Sequence, residues 1–148
     1  MSRESYYKFS CGEYSDELVD VVNLCHDIGW YYYDANGKVD YLPIGDIDDY
    51  DWKEESLTNE QITSIIFEKQ RRREKIGLIL YEKDSGRGIT FLADNTKEII
   101  LNINVYRKTV TGDSNDFIDA SWYITNIFSR LVQKGCLIEN LLLEDYVG

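Results

Sequence analysis

The segment Glu98–Tyr106 (EIILNINVY) restricts the possible folds of this chain more than any other part of the sequence. Ile99, Leu101, Ile103 and Val105 fall on one face of a strand there, with Asn102 and Asn104 on the other face. A strand with this period buries one face and exposes the other, as antiparallel sheets commonly require. Strands predicted at residues 76–82 and 89–93 precede it, joined by polar turns at 84–88 and 94–97. The sequence therefore predicts a three-stranded meander with one buried face.

Helical spacing of apolar residues predicts three helices. They are residues 16–28 behind an N-cap at Ser15, residues 59–74, and a third helix capped by Asn115 or Asp116 and stopped by Gly135. Thr58 and Gln61 form a capping box ahead of the second helix. Further strands are predicted at residues 6–10, 30–33, 38–42 and 137–147, the middle two joined by a turn at 34–37 and the last beside the meander.

These elements assign the chain to the α+β class: a mostly antiparallel sheet, with a C-terminal meander, helix and strand, and about three packed helices. No internal repeat or low-complexity linker divides the 148 residues, so a single domain over 1–148 is predicted.

Met1–Ser10 lacks the apolar stretch of a signal peptide, and no apolar run approaches the roughly 20 residues of a membrane span. A cytoplasmic location without a membrane partner is expected, and three widely spaced cysteines without a CxxC motif agree with it.

Negative charge is concentrated towards the N-terminal end of the chain. The formal net charge is −11, with 15 acidic and four basic residues in positions 1–60 against six acidic and ten basic residues in positions 61–108. Such a field repels phosphate, so nucleic acid is not an expected partner, and it attracts basic proteins. The alternative is that the acidity only keeps the protein soluble.

The acidic excess peaks in residues 45–56 (GDIDDYDWKEES), which have no clear period and are predicted as a loop. Acids can steer a basic partner, and aromatic side chains can anchor it once they are desolvated. The predicted partner-binding residues are Asp46, Asp48, Asp49, Tyr50, Asp51, Trp52, Glu54 and Glu55. Two alternatives remain open: Tyr50 and Trp52 fold inward beneath a solvated loop, or the carboxylates bind a cation such as Ca²⁺, although their spacing fails the EF-hand pattern.

The sequence lacks the motifs of common catalytic and nucleotide-binding sites. Its one histidine, His26, follows Cys25 directly, and neighbours on a helix point about 100° apart. GxSxG, GxGxxG and GxxxxGK[ST] are absent, and residues 86–88 (GRG) predict a hairpin turn. Arg71–Arg73, the one basic cluster, suits a helix C-terminus. We therefore predict no catalytic residue, no cofactor and no metal, and a function other than catalysis.

Over its whole length the chain resembles the immunity proteins of bacterial toxin–immunity systems, including those of contact-dependent growth inhibition. The features that resemble them are the acidic aromatic loop GDIDDYDWKEE, the meander around EIILNINVY, and the closing helix and strand between Phe117 and Val147. The resemblance implies a small cytosolic α+β protein that neutralises a cognate toxin domain, frequently a basic nuclease, by covering or distorting its active site. The binding residues named above rest on the charge argument and not on a shared motif.

Two other functions are compatible with the sequence. An acidic mimic of nucleic acid would inhibit a DNA- or RNA-handling protein and would space its acids like phosphates. A small enzyme with an unrecognised site would hold a perturbed carboxylate or Cys25 in a deep pocket. The oligomeric state is left open.

Overall fold

An eight-stranded antiparallel sheet lies at the centre of the structure, a computed structural model that describes residues 2–148. Its strands are β1 Arg3–Ser10, β2 Trp30–Tyr31, β3 Val39–Tyr41, β4 Lys53–Glu55, β5 Ile76–Glu82, β6 Gly88–Asn95, β7 Glu98–Val105 and β8 Asn140–Val147. They are ordered β4-β3-β5-β6-β7-β1-β8, and β2 pairs with the end of β5. The helices are α1 Leu18–Asp27, α2 Asn59–Arg71 and a composite α3, which comprises Ala120–Tyr123, the π-helical segment Ile124–Phe128 and Ser129–Gln133. This architecture confirms the predicted α+β class.

The helices cover one face of the sheet. On that face a row of paired residues runs across five strands, and it comprises Tyr41, Leu78, Phe91, Leu101 and Tyr7, all nearly fully buried. Apolar residues of all three helices belong to the same buried cluster. On the opposite face, side chains such as Tyr6 and Ile79 are only half-buried. Since burying one large apolar side chain stabilises by about 1.5–3 kcal/mol, this one-sided core holds the predicted meander in place.

The position of the last strand differs from the prediction. The sequence predicts it beside the meander, but β1 lies between β7 and β8. β1 starts earlier than the predicted residue 6, and its buried residues alternate with half-buried ones up to Ser10. It pairs with β8 over the whole strand, from Arg3 opposite Val147 to Ser10 opposite Asn140. No local pattern specifies a pairing between the two ends of a chain, so it could not be foreseen.

The predicted hairpin between residues 30–33 and 38–42 also forms differently. The turn at 34–37 closes with its own hydrogen bonds, but β2 and β3 each pair with β5. The indole N–H of Trp30 donates to the carbonyl of Asn126 in α3 at 2.9 Å. This bond holds β2 against the helix layer, and the two short strands therefore lie end to end along β5.

The first two helices lie where predicted, with shifted ends. α2 begins with the predicted capping box: the Thr58 hydroxyl accepts from the Gln61 N–H at 3.1 Å, and the Gln61 side chain accepts from the Thr58 N–H at 2.8 Å. α1 begins two residues later than predicted, at Leu18. The Ser15 hydroxyl accepts from the Glu17 N–H at 3.0 Å and so closes a turn ahead of the helix instead of capping its first residue.

The third helix begins later than predicted and contains a wider turn. Asp119, and not Asn115 or Asp116, supplies the N-cap oxygen, which accepts from the Trp122 N–H at 3.1 Å. Gly135 follows the helix with a φ of 95°, a conformation that glycine adopts at little cost, and the chain leaves the helix there as predicted. Within residues 2–148, no helix is long and apolar enough to cross a membrane.

Asp145 of β8 joins three parts of the chain at one point. Its carboxylate accepts hydrogen bonds from the Arg3 guanidinium, from the Ser5 hydroxyl at 2.9 Å and from the Ile118 N–H at 2.9 Å. Arg107 lies 3.7 Å from the same carboxylate. Burial alone would raise the pKa of Asp145, but these hydrogen bonds and the Arg3 charge outweigh burial and lower it. The ionised carboxylate therefore ties β8 to β1 and to the loop ahead of α3.

Replacing Asp145 with Asn should destabilise the fold by about 2 kcal/mol, because two partly buried guanidinium groups lose their counter-charge. The folded-state pKa of Asp145 is lowered. Its carboxylate therefore contributes stability above the unfolded-state pKa, and this contribution is lost as the pH falls through the folded-state value. Urea denaturation from about pH 7 down to pH 3 should show the wild type and Asp145→Asn converging in acid.

Asp94→Asn is the matched control, because Asp94 is exposed at the end of β6. It should change the free energy of unfolding by less than about 0.5 kcal/mol. Equal unfolding free energies for the wild type and Asp145→Asn at pH 7 would show that Asp145 does not anchor β8.

Candidate protein-binding surface

A buried lysine of α2 fixes the start of the acidic loop, residues 45–56. Lys69 is 1% exposed, and its ammonium group donates to the carbonyls of Pro43 at 2.7 Å and Asp46 at 2.9 Å. Glu74 lies 3.5 Å from the same nitrogen and accepts a hydrogen bond from the loop backbone at 2.7 Å. Burial lowers the pKa of Lys69, while the charges of Glu74 and Asp46 oppose that shift. One ammonium group therefore clamps the loop to α2.

The Asp46 side chain determines the shape of the loop. Asp46 is buried, and its carboxylate accepts from the N–H groups of Tyr50 at 3.1 Å and Asp51 at 2.7 Å. Tyr50 has a φ of 53°, a left-handed conformation that costs a non-glycine residue about 1–2 kcal/mol. The two hydrogen bonds hold that conformation. Among the predicted binding residues, Asp46 is therefore the buried one whose carboxylate shapes the loop, while the exposed Glu55 accepts a hydrogen bond from the Tyr41 hydroxyl at 2.8 Å.

Trp52 packs on the sheet at the base of the loop. It is half-buried, and its ring lies over Gly77 of β5 beside the Leu42 side chain. A Cβ atom at Gly77 would come within 2.9 Å of the Trp52 ring and 2.6 Å of Leu42, so the contact depends on glycine. Tyr50 does not follow Trp52 inward, since it remains 46% exposed.

The remaining acids of the predicted set face solvent. We define the acidic surface as Tyr50 with the exposed carboxylates Asp48, Asp49, Asp51, Glu54 and Glu55. Ile47 within this loop and Ile44 just before it are also exposed, and the sequence-based selection left both out although they adjoin the acidic run. Residues 53–55 are not part of a loop as predicted: they form the edge strand β4, which pairs with β3.

Strand pairing adds two further carboxylates beside this surface. Asp40 faces Glu54 across the β3–β4 pair, and carboxylate oxygens of Asp34, Asp40 and Glu54 all lie within 4.8 Å of one another. The Tyr81 hydroxyl donates to Asp40 at 3.1 Å, and burial together with that hydrogen bond raises the pKa of Tyr81. Asp34 and Asp40 could not be selected from the sequence, because the pairing of 39–41 with 53–55 has no local signal there.

The carboxylates of Asp34, Asp40 and Glu54 can attract a cation, but they supply too few oxygen ligands for a Ca²⁺ site. Ca²⁺ takes six to eight oxygen ligands, whereas Asp34 already accepts from the N–H groups of Asn36 at 2.8 Å and Lys38 at 3.0 Å. Like charges that face each other across strands are destabilising. A lysine or arginine side chain from a partner would relieve that repulsion.

Groups with catalytic potential do not converge on this surface. Burial raises the pKa of the Cys25 thiol to about 12, so the thiol stays protonated and weakly nucleophilic at neutral pH. His26 packs against Tyr31 in a tilted arrangement, with 4.5 Å between the ring centroids. Cys11 and Cys136 are buried free thiols. The chemistry that the acidic surface offers is therefore recognition of positive charge.

Replacing Lys69 with Met should destabilise the protein by about 3 kcal/mol, because Glu74 and two carbonyls lose their buried partner. The loop should open locally, so the amides of Tyr50 and Asp51, held by the Asp46 carboxylate, should exchange their hydrogens much faster than those of β6. Hydrogen exchange resolved by residue, together with urea denaturation, measures both effects.

Lys134→Met is the control for this experiment, since Lys134 is exposed beyond α3. It should leave both the unfolding free energy and the exchange of the loop amides unchanged. Loop amides that exchange at the wild-type rate in Lys69→Met would mean that the clamp does not order the loop.

No protein-family model, no curated protein and no solved structure matches the chain.

Proposed function

We propose that this protein is a toxin-neutralising immunity protein that binds and blocks a basic, nuclease-type toxin domain through the acidic surface. The observation that carries the proposal is the clamp by Lys69, which orders the loop before a partner arrives. A surface that is already ordered loses less conformational entropy on binding, and this loss is a main cost of association. An acidic loop kept only for solubility needs no such buried anchor.

The acids and the aromatic side chain would act at different stages of binding. A nuclease that grips phosphate presents lysines and arginines at its active site, and the exposed carboxylates steer that face towards the loop. Tyr50 and Ile47, both exposed, then supply apolar contact at the centre of the interface. The cluster of Asp34, Asp40 and Glu54 accepts one cationic side chain. Inhibition is stoichiometric and needs no turnover.

We place this encounter in the cytoplasm. All three cysteines are buried free thiols, the state that a reducing compartment maintains. A toxin that reaches the cytoplasm would meet the inhibitor there.

The carboxylates can be tested by neutralising three of them without changing their size. Wild type and the triple variant Asp48→Asn, Asp49→Asn, Asp51→Asn are immobilised and exposed to lysate of the native host at about 50 mM and about 300 mM salt. We expect a basic protein to be retained at the lower salt concentration by the wild type and lost by the variant. The retained protein is then purified, and its nuclease activity is titrated with the wild type, where inhibition should be complete at a 1:1 ratio.

A second triple variant, Asp16→Asn, Asp94→Asn, Asp113→Asn, removes the same charge from exposed positions outside the acidic surface. It should bind like the wild type, whereas the acidic-surface variant should associate at least about tenfold more slowly with a flatter salt dependence. An equal loss of association rate in both variants would show that only the net charge of the protein matters and not the position of the acids. A retained partner without nuclease activity would reject the toxin assignment.

The nucleic-acid mimic is less well supported by the geometry. A mimic spaces its acids along a line, as phosphates are spaced. Asp34, Asp40 and Glu54 instead converge within 4.8 Å of one another, which suits a single cationic side chain.

A further inference from the structure

The last strand of the sheet is an unprotected edge. β8 pairs with β1 along eight residues, and every residue but Asp145 is exposed. Its exposed apolar side chains are Leu141, Leu142, Leu143, Tyr146 and Val147. Proteins usually protect sheet edges by making them short, charged or bulged. The opposite edge, β4, follows that rule with three charged residues, KEE, whereas β8 does not.

The backbone of β8 offers a regular row of hydrogen-bonding groups. The Gly148 N–H donates to the Ser2 carbonyl at 3.1 Å, in the register of the β1–β8 pair. In an antiparallel ladder, alternate residues direct both backbone groups to one neighbour and the residues between them direct theirs away. Even-numbered positions therefore bond to β1, and the backbone groups of Leu141, Leu143 and Asp145 point outward from the sheet.

We propose that β8 pairs with β8 of a second copy of this chain, antiparallel about a twofold axis, to form a dimer with one continuous sheet. We centre the register on Leu142, so that Leu142 of one copy faces Leu142 of the other. These two residues form a pair without hydrogen bonds, in which side chains approach most closely. Leu141 then faces the partner's Leu143, and their outward backbone groups bond to each other. Asn140 faces the partner's Glu144, an amide opposite a carboxylate.

The strand is complementary to itself and not to a basic partner. Of its two acids, Asp145 is neutralised by Arg3 and Arg107, so Glu144 is the one free charge among eight residues. The sheet order places β4, which carries Glu54 and Glu55 of the acidic surface, at the far end, so charge draws a basic protein to the other edge. The three consecutive leucines expose apolar side chains on both faces of the strand, and the same strand of a second copy presents matching apolar side chains. The proposal therefore does not depend on the proposed function.

The expected dimer is weak and strengthened by salt. One strand on each side buries less than the roughly 800 Å² per partner of a standard interface, which favours a reversible association in the micromolar range. Each copy carries a net charge of −11, so the two copies repel each other and added salt screens that repulsion. A basic protein partner on the same edge would show the opposite salt dependence.

Sedimentation velocity of the full chain from about 1 µM to about 500 µM tests the proposal. We expect a monomer–dimer equilibrium that tightens between low and high salt. Leu142→Lys should weaken it at least tenfold, because two lysines would face each other on the twofold axis. Val132→Lys, which also changes an exposed apolar residue, lies on α3 and should have no effect.

Two proline variants separate pairing from folding. Leu143→Pro removes an outward N–H, so it should abolish the dimer and leave the thermal stability of the monomer nearly unchanged. Leu142→Pro removes an N–H that bonds to β1 and should lower that stability. A wild type that stays monomeric at every concentration would overturn the proposal. The remaining candidate to pair with β8 would then be a strand of another protein. A dimer unaffected by Leu142→Lys and Leu143→Pro would also overturn it.

Discussion

Strands β1, β5, β6 and β7 each have one side against the helices and the other side turned away from them, and the rest of the structure follows from that constraint. Because the side-chain period of a strand is two, a slip of one residue would turn every buried side chain outward. Burial of Tyr7, Leu101, Phe91 and Leu78 in one row therefore fixes the register of β1, β7, β6 and β5 together. The solvent side is then free to carry polar clusters such as that of Asp40 and Glu54.

Buried charges in this protein anchor its irregular segments. Lys69 holds the loop that precedes β4, and Asp145 holds the loop that precedes α3. In both cases an ionised side chain satisfies backbone groups that no strand or helix can pair. Removal of one partner of such a buried charge costs several kcal/mol, because the charge is then left uncompensated. Each loop therefore has one preferred conformation, although neither has a regular hydrogen-bond ladder.

Local patterns predicted the parts of the fold that depend on neighbours in the chain. The meander and the Thr58–Gln61 capping box were confirmed because alternation and capping act over a few residues. Pairing between distant segments left no such signal, so the place of β1 beside β8 and the existence of β4 were missed. The burial of Asp46 was missed for the same reason, since its neighbour Lys69 comes from a helix 23 positions away. Composition identified the acidic segment, but only the fold shows which of its carboxylates reach solvent.

The pairing of β1 with β8 also determines when the fold can be completed during synthesis. Glu4 and Tyr146 are hydrogen-bonded across these strands although they are 142 positions apart. Until β8 leaves the ribosome, β1 can pair with β7 alone and is itself the open edge of the sheet. At about 5–20 residues per second, the segment between β7 and the end of β8 takes a few seconds to synthesise. During that interval Tyr7 and Phe9 lie on the open edge strand, so slower translation of residues 106–147 would lengthen the time for which that edge is accessible.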